Sequence, residues 1–205
     1  MPTRLHGTAP AQPAELVWRW IRHFVMPLKL CPWASAALPY TRVVACHDAR
    51  PGSIQRAARA ELRRMRDEPA QHANTLLVLC HPSMYNVATF AAVLQRTQAA
   101  LQSRCHIAKF HPDPTGAGKQ AAALPVLDSP AQWALVAPYP ILHLLPHAAL
   151  APLRQAAADS HRASAALQAN ERRLAALTHT KLAGMYQAAL QHSDASACSS
   201  THAHT

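Results

Sequence analysis

A chain of 205 residues, half of them hydrophobic but many of those alanine, has room for one ordinary domain whose core rests on few large side chains. Twenty Lys and Arg against ten Asp and Glu give a formal charge of +10, which attracts anionic partners without specifying one. The five cysteines contain no CxxC pair and every apolar run is broken well short of the roughly twenty residues of a membrane span, which argues against a disulfide framework and a membrane anchor. A reducing cytoplasm or organelle matrix is the expected setting.

In chain order, residues 1–12 predict a disordered leader, after which Pro13 and Glu15 open a helix with Val17, Trp20, Ile21 and Phe24 on one face. Pro27 ends it, and Pro32 restrains the backbone next to Cys31. Arg42 to Cys46 is short and β-branched, a first strand. Pro51-Gly52-Ser53 supplies a turn and cap for a helix over 54–68, with Ile54, Ala58, Leu62 and Met65 inward and Arg56, Arg59, Arg63 and Arg66 outward. Thr75 to Cys80 is apolar without alternation, as a strand covered on both faces should be.

Beyond His81-Pro82-Ser83 a third helix is expected to about Gln102, and Cys105 to Asp113 is a third strand ending in a tight turn. Pro114 to Pro138 shows no clean period, and a connection of that length is more often a functional loop than a plain link. Ile141 to Leu145 is a fourth strand. Helices are expected at 148–158 and 168–190, with a disordered tail from His192, so residues 13–191 form the domain. The expected fold class is α/β: a single domain, a small mixed sheet with a parallel β-α-β-α-β core, flanking helices and a helical C-terminal tail.

Parallel strands end on one edge, so His47, His81, His111 and Asp113 should converge where α/β proteins bind ligands. Histidines there can serve as acid or base near neutral pH, or as metal ligands beside Asp113. No tight motif such as HExxH supports a metal, and no cofactor is indicated. The plainer account is that His-Pro and His-Pro-Asp end strands, with Asp113 ordering the turn that follows. Cys31, beside Lys29 and before Pro32, could act as a nucleophile if a neighbour favoured its thiolate, or could pack as a structural cysteine near Trp33.

The arginine stripe of the second helix lacks aromatic companions, which favours a solvated face over a nucleic-acid footprint. Thr115 to Lys119 has neither the spacing nor the helix start of a Walker loop. Asn170, Arg172 and Arg173 read as an exposed helix start.

Taken together, Leu30-Cys31-Pro32-Trp33-Ala34, His81-Pro82, Phe110-His111-Pro112-Asp113 and Pro138 through Leu145 resemble, in order and spacing, the bacterial domain-of-unknown-function family numbered 1415. The resemblance spans roughly residues 14–178. It implies that Cys31, His81, His111, Asp113, His143, Gly118, Tyr139, Pro140 and Asn170 are the positions that carry the family pattern. Two departures stand out: Leu135-Val136-Ala137 replaces an Asn-Arg-Ser run, and Pro146 replaces an arginine. The family supplies no reaction.

The leading expectation is a His/Asp/Cys pocket at the carboxyl edge of the sheet. His111, Asp113, His81, His143 and Cys31 would do the chemistry, and Gly118, Tyr139 and Asn170 would contact a small anionic ligand during hydrolysis or transfer. The competing expectation is a non-catalytic protein that uses its basic surface on an anionic partner. Oligomeric state is not readable from the chain.

Overall fold

The unbroken apolar run before His81 becomes the strand around which everything packs. In the computed structural model, which describes residues 12–31, 34–69, 71, 73–116, 124–125, 127–148 and 160–191, strand β2 (Asn74–Leu79) is buried at all six positions. It sits inside a four-stranded sheet with β1 (Thr41–Cys46), β3 (Cys105–Phe110) and β4 (Ile141–Pro146), in the order β1-β2-β4-β3. β1 and β2 are parallel, and β4 runs antiparallel to both β2 and β3. The third strand therefore runs the same way as the first two, but β4 lies between it and β2. That placement depends on a pairing between residues far apart in sequence, which no local pattern encodes.

Helices cover both faces of this mixed α/β sheet. On one face, Leu76, Val78 and Ile141 pack with Val17, Phe24 and Leu182. These come from α1 (Pro13–Trp20), the π-helical turn Ile21–Val25 and a C-terminal helix. On the other, Leu77, Leu142 and Ile107 pack with α3 (Pro51–Asp67) and α4 (Val87–Leu101). A short helix, α2 (Ala34–Ala37), precedes β1. Each fully buried Leu or Ile of these layers is worth about 1.5–3 kcal/mol relative to exposure, so the two cores together hold the sheet.

Local signals place most element ends. Pro13 and Pro51 occupy first-turn positions, where a missing N–H costs nothing. Asn86 caps α4 by accepting from the Thr89 N–H at 3.0 Å. The segment expected to start the third helix is instead a separate 3-10 turn, Pro82–Tyr85, because Asn86 is extended and ends it. The single helix expected over 168–190 is two, α5 (Ser160–Ala175) and α6 (His179–Gln191). The break is physical: the Thr178 hydroxyl accepts from the Lys181 N–H at 3.2 Å and starts a new helix. The expected leader, the helix at 148–158 and the tail from His192 lie outside the described residues. No helix among the described residues is long and apolar enough to cross a membrane.

Candidate functional site

The carboxyl ends of β1, β2 and β3 and the start of β4 share one edge, as the strand directions require. His47, His81, His111 and Tyr139 are therefore neighbours of a common rim. How their side chains are used differs sharply.

His81 follows β2 and caps the 3-10 turn. Its Nδ1 accepts the Ser83 N–H at 3.2 Å and lies 2.9 Å from the Ser83 hydroxyl. An Nδ1 that accepts leaves the neutral ring protonated at Nε2, and Nε2 makes no hydrogen bond among the described residues. His81 is half-buried. One ring nitrogen is thus fixed by the turn and the other is left for exchange.

Beside it stands a group of weak acids held neutral. The rings of Tyr85 and Tyr139 lie 6.4 Å apart. Burial, with smaller contributions from Tyr139 and Cys80, pushes the Tyr85 phenol up to about 12. Burial likewise raises Tyr139, and it raises the Cys80 thiol. At neutral pH these groups are hydrogen-bond donors, not anions. Cys46 packs on the opposite face from Cys80, although its carbonyl accepts the Cys80 N–H at 2.8 Å.

His111 is buried, 4% exposed, and its ring is engaged at both nitrogens. Nε2 lies 3.1 Å from the Met84 carbonyl, and Nδ1 faces the N–H and the carbonyl of Asp113 at 3.0 and 2.7 Å. The strand continues one step further through the backbone, where His111 bridges to Val136. Asp113 orders the turn after it, accepting from the Thr115 hydroxyl and the Gly116 N–H through Oδ1. Gly116 has φ 75°, a conformation a side chain would strain.

His143 belongs elsewhere. It is in register with Leu76 and Ala108, on the face covered by α1, and its Nε2 lies 3.0 Å from the Asn74 Oδ1, towards the opposite end of β2. Asn74 passes the chain on to Thr41, whose hydroxyl donates to the Ala37 carbonyl. Burial, aided by His106, pushes His143 down to about 4, so it is neutral. His111 packs on Phe90 in the other layer. The structure therefore brings Tyr85, Tyr139 and Cys80 together at the strand end that His81 follows, and it separates His143 from His111 by the thickness of the sheet.

Cys31 ends a loop whose backbone is held from a distance. Asn170 donates to the Leu30 carbonyl at 2.6 Å, and Arg173 donates to the carbonyls of Leu28 and Lys29 and to the Asn170 Oδ1. Lys29, between them, has φ 51°. These residues lie in the last turns of α5, so the expected exposed helix start is a clamp on the Cys31 loop. Arg173 carries no sequence signal for this role, since its acceptors are main-chain carbonyls about 145 positions away. α5 in turn packs on the 3-10 turn Pro130–Leu135 that precedes β4, which sets the clamp on the same side as the rim. Gly118 lies outside the described residues. Among the described residues no three His, Cys, Asp or Glu side chains cluster as a metal site would need.

A mixed α/β sheet between two helical layers, with a polar rim at the shared strand ends, defines the class of protein. Residues 12–184 match the family described as "Protein of unknown function (DUF1415)", and the chain belongs to that family. No curated protein and no solved structure matches it.

Proposed function

We propose that the carboxyl rim of the sheet takes a small polar molecule and that His81 exchanges a proton with it during a hydrolysis or transfer reaction. The observation that carries this is the state of the His81 ring, held at Nδ1 by Ser83 while Nε2 is unengaged among the described residues. Tyr85 and Tyr139, both kept as phenols, are suited to donate hydrogen bonds to a carbonyl or phosphoryl oxygen. A positioned acid or base is worth about 10²–10⁴ in rate. Cys31 enters this site as a wall on the loop that Asn170 and Arg173 hold. His111 and Asp113 enter it as the frame, because the His111 ring is spent on main-chain groups of the rim and Asp113 Oδ1 holds the Thr115 hydroxyl and the Gly116 N–H of the turn that follows.

The test is hydrolysis of a panel of p-nitrophenyl esters and phosphates. Loss of about 100-fold or more in kcat/KM for His81→Gln, with Tyr139→Phe losing less, supports the assignment. If the wild-type protein hydrolyses none of them and shows no thermal shift with any, the assignment falls.

A further inference from the structure

Away from the rim, the layer formed by α3 and α4 concentrates unbalanced positive charge. Arg56 and Arg63 are seven residues apart on α3 and so lie almost in line, with Arg59 between them on the same exposed side. The inward side of the helix carries Ile54, Ala58, Glu61 and Met65. α4 lies alongside, since the Gln55 side chain donates to the Arg96 carbonyl at 3.2 Å, and this brings a fourth exposed arginine to the edge of the stripe.

Countercharge around these four is sparse: Asp67, its carboxyl held down mainly by the hydrogen bond from Arg66, is near enough to Arg63 for that guanidinium to help. Arg64 and Arg66 are paired with Glu61 and Asp67, but Arg56, Arg59, Arg63 and Arg96 form no ion pair among the described residues. Among the described residues Arg56 donates to the Ser53 hydroxyl alone. Residues 87–112 contain no Asp or Glu at all. Small exposed residues, Gly52 and Ala60 on α3 and Ala92 and Ala99 on α4, lie among the arginines and let a broad polyanion approach closely, while the acidic Asp67 stands at the C-terminal end of α3.

We propose that the outer face of α3 and α4 docks the phosphate backbone of double-stranded nucleic acid. The exposed large hydrophobics among the described residues, Tyr40, Leu124 and Leu135, all lie off this face. A protein partner would normally be anchored by such a residue, and a single strand would need aromatic rings to stack its bases. Backbone contact with a duplex needs neither; it needs guanidinium forks at phosphate spacing. The missing aromatics that spoke against nucleic acid in the sequence therefore bear on single strands and not on a duplex. This surface is independent of the rim.

The experiment is fluorescence anisotropy of the full chain with a fluorescein-labelled DNA duplex of arbitrary sequence. Four phosphate contacts give a log–log salt slope of about −3.6, hence affinity falling roughly 100-fold between 50 and 200 mM salt. Arg56→Gln, Arg59→Gln, Arg63→Gln and Arg96→Gln, made singly so that folding is undisturbed, should each reduce the slope by about 1, while Lys181→Gln on α6 should leave it unchanged. Absence of binding at 50 mM salt overturns the proposal. So does a quadruple variant that binds like wild type, a single strand of equal length that binds more tightly, or poly-glutamate that competes as well as unlabelled duplex.

Discussion

His111 and Met84 are joined across the rim, imidazole Nε2 to main-chain carbonyl at 3.1 Å, over 27 positions of sequence. The same ring reaches the Asp113 backbone through Nδ1. One side chain thus ties the end of β3 to the turn after β2. His111→Ala would leave a buried carbonyl and a turn without their partner, and is expected to lower unfolding free energy by about 1–3 kcal/mol in urea denaturation. An unchanged midpoint would show that the ring is dispensable to the frame.

His143 gives stability a pH dependence whose sign is fixed by its depressed pKa. Folded, it titrates at about 4; unfolded, its ordinary value is about 6.5. Between those values the unfolded chain binds the extra proton, so this contribution is complete above about 6.5 and is lost as pH falls through the folded value. The expected loss is on the order of 3 kcal/mol. His143→Gln keeps a donor for Asn74 and should flatten that part of the stability-versus-pH curve. A variant with the wild-type slope would assign the proton to another group.

Glu61 sits on the inward side of α3, 6% exposed, and meets Arg42 at 3.0 Å and the Thr75 hydroxyl at 3.3 Å. Removing the carboxylate leaves the buried Thr75 hydroxyl without this acceptor while Arg42, 38% exposed, can turn to water, so Glu61→Ala is expected to cost about 1–2 kcal/mol. Arg42→Ala instead leaves the buried Glu61 carboxylate without its nearest cation and should cost more, about 3 kcal/mol. Chemical denaturation of the two single variants and the double variant separates the pair energy from the individual losses. Equal costs for both single variants would contradict this asymmetry.

Thiol chemistry should divide the cysteines. Burial pushes Cys105 up to about 11 and raises Cys80, so little thiolate exists on either at pH 8. Iodoacetamide labelling followed by peptide mapping is expected to modify Cys105 only after denaturation. Cys31, half-buried on its clamped loop, should react faster when Arg173→Ala or Asn170→Ala frees the backbone of Leu28–Leu30. Identical Cys31 rates in wild type and both variants would mean that the clamp does not govern the loop.

What could be read from the chain follows from the range of each interaction. The apolar run at Thr75–Leu79 announces a strand buried on both faces, and the proline and asparagine caps announce helix starts. All of these are local. The position of β4 between β2 and β3 is not, nor is the His111–Met84 contact or the grip of Arg173 on the carbonyls of Leu28 and Lys29, because main-chain acceptors leave no trace in residue identity. Glu61 takes an inward position of α3 that the apolar spacing of Ile54, Ala58, Leu62 and Met65 does not announce, and its partner Arg42 lies on another element. The rim as a meeting place of His47, His81 and His111 follows from strand direction, whereas the opposite facing of His111 and His143 follows from strand parity across a pairing that had first to be known.

The strand order has a further consequence for the order of events as the chain is made. β3 emerges with no neighbour to pair with, since β2 is already committed to β1 on one side and awaits residues 141–146 on the other. A ribosome-bound chain halted before Ile141 holds two paired strands and a third one detached, with both helical layers lacking half of their floor. Non-local pairing of this kind is slow, so the sheet closes late.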